Sequence, residues 1–102
     1  MVKTHATTEL DARRAEIERI DEALIQMIEE RMRLARRIGL LKREAGLTLV
    51  HPAREAAVVR RAGELARARG LDDEAVREIF WRLIEMSRRA QADGGGTDGR
   101  DA

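Results

Sequence analysis

Two cations stand where a helix should be apolar. From Leu24, steps of four and three pass through Ile28, Arg31, Ala35, Ile38 and Lys42, which share one face of a helix. An unpaired buried cation costs several kcal/mol, so a helix that turns Arg31 and Lys42 inward needs an anion to meet them. Other polar groups fall on the same kind of face. Arg14 lies on the same count further back, through Ile17, Asp21 and Leu24. Arg54 and Glu55 fall in the first turn of a following helix, where free N–H groups and the helix dipole attract anions. Ser87 and Gln91 continue the apolar face begun by Phe80 and Ile84.

Each residue alone has a plainer reading. An arginine at a bundle edge snorkels, burying its stem and keeping its head in water. Glu55 can pair with arginines of its own helix, and Ser87 and Gln91 can be surface residues near a helix end. Taken together, Arg14, Arg31, Lys42 and Arg54 have only Asp21 and Glu55 as acidic company. That excess predicts a cavity for a small polyanion, with a dicarboxylate as the expected occupant. Lys42 stands out further. The chain has 20 basic residues, yet its lysines are Lys3 and Lys42, the rest being arginine. A compact ammonium delivers its donors to a point, which a planar guanidinium does poorly.

Covalent and acid–base machinery is missing from the sequence. There is no cysteine, hence no disulfide, no thiolate and no expected metal site. No serine sits in a context with His5 or His51 that suggests a nucleophile, no carboxylates converge, and no glycine-rich phosphate loop occurs. An enzyme built from these residues works by holding and polarising its substrate, without a cofactor.

The elements that position these groups are helices. Leu10, Ile17, Ile20, Leu24, Ile28, Leu34, Ile38 and Leu41 follow helical spacing up to Gly46, which predicts a first helix over about 8–45. Thr8 is its expected cap, with Asp11 as acidic partner, and Gly46 its expected end. At about 1.5 Å per residue this helix is about 57 Å long, against roughly 33 Å for the diameter of a compact 100-residue chain. Its apolar stripe therefore needs covering, and a second copy of the chain is the simplest cover. Pro52 suits the first position of a second helix, 52–69, burying Val58, Val59, Ala62, Leu65 and Ala66. Gly70 ends it. Asp72 caps a third helix, with Asp73 and Glu74 favourable to its dipole. That helix buries Val76, Ile79, Phe80, Leu83 and Ile84 and runs to about Ala92. Residues 1–7 are expected to be a flexible N-terminus, 8–92 the helical domain and 93–102 a disordered Gly/Asp-rich tail.

The fold class is therefore all-α, an intertwined homodimer of three-helix chains. A net charge of +1 and 2% aromatic residues argue against a nucleic-acid partner, which needs a segregated basic surface and stacking groups. No stretch approaches a membrane span. "MVKTHATTEL" has no apolar run and is not read as a secretory signal, so a cytoplasmic setting is expected.

The chain resembles the all-helical (AroQ-type) chorismate mutases from about Leu10 to Gln91. The resemblance rests on "RRAEIERIDEALIQMIEERMRLARRIGLLK", on "PARE" opening helix 2, and on "GLDDEAVREIFWRLIEMSRRAQ". It implies a domain-swapped homodimer with two sites, each rearranging chorismate to prephenate by a pericyclic reaction without covalent intermediate. By resemblance, Arg14 reaches into the partner's site and, with Arg31 and Arg54, holds two carboxylates. Lys42 and Gln91 donate to the ether oxygen as the C–O bond breaks. Glu55 accepts from the ring hydroxyl, Ser87 lies near a carboxylate, and Ile38, Val58 and Ile84 form the apolar wall. Because Gln91 is neutral, weak dependence on pH between about 5 and 9 is expected. His51 departs from the family, many members having Asp before this proline, and His is a poorer helix cap. The alternatives are isochorismate–pyruvate lyase or aminodeoxychorismate mutase activity on the same scaffold, or a non-catalytic helical interaction module.

Overall fold

The computed structural model describes the backbone of residues 2–101 and the side chains of residues 4–93. It is all-helical, in the order α1 (Val2–Glu44), α2 (Pro52–Ala68) and α3 (Asp73–Asp101). Residues 1–30 and 31–102 form two compact units.

In the first unit, α1 begins at Val2 and not near residue 8, so Thr8 does not cap it. The Thr8 hydroxyl instead donates to the Thr4 carbonyl at 2.9 Å, the back-bond that threonine makes inside a helix. Leu10, Ile17, Ile20 and Leu24 are 48–58% exposed. Ion pairs decorate the surface, with Arg13 reaching Glu9 (2.8 Å) and Glu16 (2.5 Å). The expected flexible segment 1–7 falls partly on residues 1–3, whose side chains lie outside the described residues.

In the second unit, α2 packs against α3, and the last turns of α1 reach α3 through Arg31, Gly39, Lys42 and Arg43. The core is Ala35, Val59, Ala62, Ala66 and Ile84, joined by Ser87. Small residues let the helices approach closely, and the larger apolar side chains flank that contact. This corrects the expected burial. Leu34, Ile38, Leu41, Leu65 and Ile79 share the stripes but are 45–63% exposed, because a single chain offers a helix neighbours on only part of its apolar face.

Both interhelical turns are set by glycine. Gly46 has φ +70°. Its N–H donates to the Arg43 carbonyl (3.1 Å) while Leu47 N–H reaches Lys42 (2.7 Å), a Schellman C-cap. Gly70, φ +72°, repeats the pattern at the end of α2, with its N–H on Arg67 (3.1 Å) and Leu71 N–H on Ala66 (2.9 Å). α3 starts as expected, with the Asp72 carboxylate accepting from Ala75 N–H at 3.1 Å. Its backbone helix continues past Ala92 to Asp101. The expected disordered tail, 93–102, has side chains that from residue 94 lie outside the described residues.

Candidate active site

Lys42, in the last turn of α1, uses two of its three donors within the protein. Nζ donates to the Leu49 carbonyl at 2.6 Å and to Gln91 Oε1 at 3.1 Å. The turn made by Gly46 brings Leu49 back over the end of α1, so the ammonium is tied to the loop and to α3 at once. An ammonium cannot accept a hydrogen bond, so Gln91 must present its oxygen to Lys42. The amide N–H groups of Gln91 are thereby left as the free end. Three turns earlier, Arg31 Nη1 donates to Ser87 Oγ at 2.5 Å. Ser87 is 8% exposed, and partial burial lowers the pKa of Arg31 from its ordinary value, since desolvation disfavours the charged form.

Helix α2 supplies the other wall. His51 is its N-cap, and here the structure differs from the expectation of a poor cap. The imidazole Nδ1 accepts from Arg54 N–H at 3.1 Å, while the His51 carbonyl accepts from Glu55 N–H at 3.0 Å. The ring nitrogen thus takes the place of a carboxylate oxygen, which requires Nδ1 to be unprotonated. The Arg54 guanidinium has no protein partner among the described residues. Glu55 is bound in a fork by Arg88 of α3. Arg88 Nε donates to one carboxylate oxygen at 3.0 Å and Nη2 to the other. The Glu55 side chain is only 13% exposed and that of Arg88 45%. The hydrogen bonds from Arg88 hold the Glu55 carboxyl below its usual range, outweighing desolvation, with help from the charges of Arg88 and Lys42.

These groups converge on one cavity of about 400 Å³. Arg31, Lys42, His51, Arg54, Glu55, Ser87 and Gln91 give its polar lining, and Ile38, Val58 and Ile84 its apolar wall, together with Leu34 and Ala35. All of them belong to residues 31–102. Of the residues singled out from the sequence, Arg14 is not in the lining; it is exposed, in residues 1–30. A depression of similar size, about 440 Å³, is lined by α3 alone, through Trp81, Ile84, Glu78, Glu85, Arg82 and Arg88. Its acids and bases balance, so it offers no excess charge to a ligand. In the first cavity the only acid, Glu55, is already matched by Arg88. Arg31, Lys42 and Arg54 remain to neutralise a guest.

Sequence reasoning missed Arg88. The signal was present, because Ile84, Arg88 and Gln91 follow four–three spacing just as Ile84, Ser87 and Gln91 follow three–four. Both routes lie within the width of one helix face. Among the described residues, no group of three or more His, Cys, Asp or Glu could hold a metal ion, and no helix is long and apolar enough to cross a membrane.

The family model for chorismate mutase type II matches residues 13–92. The chain is similar to a chorismate mutase of Methanocaldococcus jannaschii, 30% identical over 78 residues, 76% of this chain and 79% of that protein. It is similar to a T-protein of Enterobacter agglomerans, 29% identical over 85% of this chain but 23% of that protein. A bifunctional chorismate mutase/prephenate dehydratase of Aquifex aeolicus is 47% identical over 46% of this chain and 13% of that protein. The chain thus spans about a quarter or less of several of the curated relatives it matches. No solved structure matches it. With four-fifths of its length matched by one family model, and with a relative matched over most of both chains, the chain belongs to the chorismate mutase type II family.

Proposed function

We propose that this chain rearranges chorismate to prephenate as a cytoplasmic homodimer. The observation that carries the reading is the Lys42–Gln91 pair in the lining of an under-neutralised cavity. One ammonium N–H and the amide N–H groups of Gln91 have no protein acceptor among the described residues. Such preorganised donors favour the state in which charge has grown on their target. In this reading the target is the ether oxygen, which gains negative charge as its C–O bond breaks. Arg31, with Ser87 beside it, and Arg54 hold the two carboxylates. Glu55 accepts from the ring hydroxyl with lone pairs not used by Arg88, since an ionised carboxylate has about four acceptor sites. Ile38, Val58 and Ile84 press the flexible enolpyruvyl arm against the ring, and that confinement supplies much of the acceleration.

Arg14 completes the site from a second copy of the chain. Support comes from the exposed row Leu10, Ile17, Ile20 and Leu24, a continuous apolar stripe that another helix would cover.

The test is product identification. The purified protein is incubated separately with chorismate and with isochorismate, and products are identified by NMR. Prephenate is expected from chorismate, and Lys42→Ala should lower turnover by about 10²–10³-fold, the usual cost of one oxyanion-type donor. Salicylate and pyruvate from isochorismate, with chorismate poorly used, would keep the site and change the reaction. Recovery of both compounds unchanged would refute catalysis and leave a binding module.

A further inference from the structure

Three contacts between α1 and α3 end on Gln91 or its neighbour. A Cβ built on Gly39 would lie 2.6 Å from the Gln91 carbonyl oxygen and 2.8 Å from Gln91 Cα, closer than any side chain can be accommodated against backbone. One turn further on, Arg43 Nη2 donates to the carbonyl oxygens of Gln91 (2.9 Å) and Ala92 (2.9 Å). Between them, Lys42 donates to the Gln91 side chain at 3.1 Å. Gly39 is buried and Arg43 exposed, and neither lines the cavity.

We infer that Gly39 and Arg43 form a backbone latch whose purpose is to hold the Gln91 side chain against Lys42. They are positioning residues for the proposed reaction, and the inference rests on that reading, because the latched pair is the one assigned to the ether oxygen. A glutamine carries three side-chain torsions, so its amide is a precise donor only if its backbone is fixed and its oxygen is claimed. Gly39 fixes the distance between the backbones by having no side chain. Arg43 fixes the register along α3 by gripping two successive carbonyls with charge-assisted bonds. Lys42 then claims the oxygen. Displacing α3 by an ångström would break the 3.1 Å bond, and the amide would be free to turn either end toward the substrate.

Two measurements test this, one of them independent of turnover. In the first, kcat and KM for chorismate are determined for Gly39→Ala, Arg43→Ala and Arg43→Lys, alone and combined with Gln91→Ala, with helicity checked by circular dichroism. Gly39→Ala should lower kcat by about 10²-fold, the cost of an ångström of misplacement. Arg43→Ala should lower it by about 3–10-fold with little change in KM, and Arg43→Lys should restore most of the loss, since one ammonium can still donate to both carbonyls. In the Gln91→Ala background each change should have almost no further effect. Losses that multiply in that background, or that fall on KM, would overturn the latch. If Gly39→Ala does not fold, the two Arg43 variants decide the matter alone.

In the second measurement, the side-chain amide resonances of Gln91 are followed by NMR in the unliganded protein. Arg43→Ala should move them toward those of a free glutamine, and Arg43→Lys should largely preserve them. Unchanged resonances in Arg43→Ala would refute the latch whatever the enzyme does. Wild-type protein that leaves chorismate untouched refutes the proposed function, while the resonances still report whether the latch exists.

Discussion

Lys42 and Gln91 set each other's orientation through hydrogen-bond capacity, and Arg88 does the same for Glu55 with a fork of two charge-assisted bonds. The fork from Arg88 holds Glu55 ionised below the usual carboxylate range, so the acceptor role persists at mildly acidic pH. Any stability from this pair is present above the ordinary carboxylate pKa and is lost as pH falls through the depressed one. Gln91, the other donor to the ether oxygen, is a neutral amide with no proton to lose in this range. The pH–rate profile of kcat/KM should be nearly flat between about pH 5 and 9. Arg88→Ala removes the largest of the causes that offset the desolvation of Glu55 and should move the acid limb upward. An acid limb that stays in place in this variant would show that Glu55 does not govern it.

At the scale of the element, each helix is bounded by a residue with a specific backbone task. Gly46 and Gly70 occupy positive φ, where a residue with Cβ is strained by about 1–2 kcal/mol. No other atom lies within 4 Å of a Cβ built at either site, so strain alone should decide the outcome. Gly70→Ala should destabilise by about that amount, read as a lower urea midpoint at unchanged slope. The start of α2 is set by His51, whose Nδ1 accepts from Arg54 N–H. His51→Ala should cost about 1 kcal/mol in the same measurement, and His51→Asn, which can still cap, much less. Equal losses in the two variants would mean that the ring acts by packing and not by capping.

At the scale of the whole molecule, the proposed dimer makes a prediction that neither copy can satisfy alone. Arg14→Ala and Lys42→Ala should each be nearly inactive as homodimers. Mixed through unfolding and refolding, half of the dimers would be hybrids carrying one site with both residues intact. Activity should therefore return to about a quarter of the wild-type level. No recovery, with exchange verified by mass spectrometry, would place Arg14 outside the partner's site. Leu24→Asp, on the exposed row of residues 1–30, should shift the protein to monomer in sedimentation experiments, because a charge at such a contact is desolvated without a partner.

Much of the fold was legible in the sequence. Apolar spacing and the punctuation at Gly46, Pro52, Gly70 and Asp72 located three helices, since backbone preference and helical period are local properties. The same spacing put Arg31, Lys42, Ser87 and Gln91 on inward faces, and counting charges on those faces predicted a cation excess. Helix limits were less legible. Thr8 read as a cap yet lies inside α1, because its hydroxyl bonds as well to a carbonyl within the helix as to an N–H at its start. His51 read as a poor cap yet caps α2, because propensity averages over geometries and the turn here brings Nδ1 to Arg54 N–H. Only the tertiary structure decided which groups meet across helices: Arg88 with Glu55, Arg43 with the Gln91 and Ala92 carbonyls, and the close approach at Gly39. Periodicity assigns a residue to a face but says nothing of the axial register between two helices. That register is set by how Ala35, Ala62, Ala66 and Ile84 pack, a property of side-chain volumes in contact and not of any one segment.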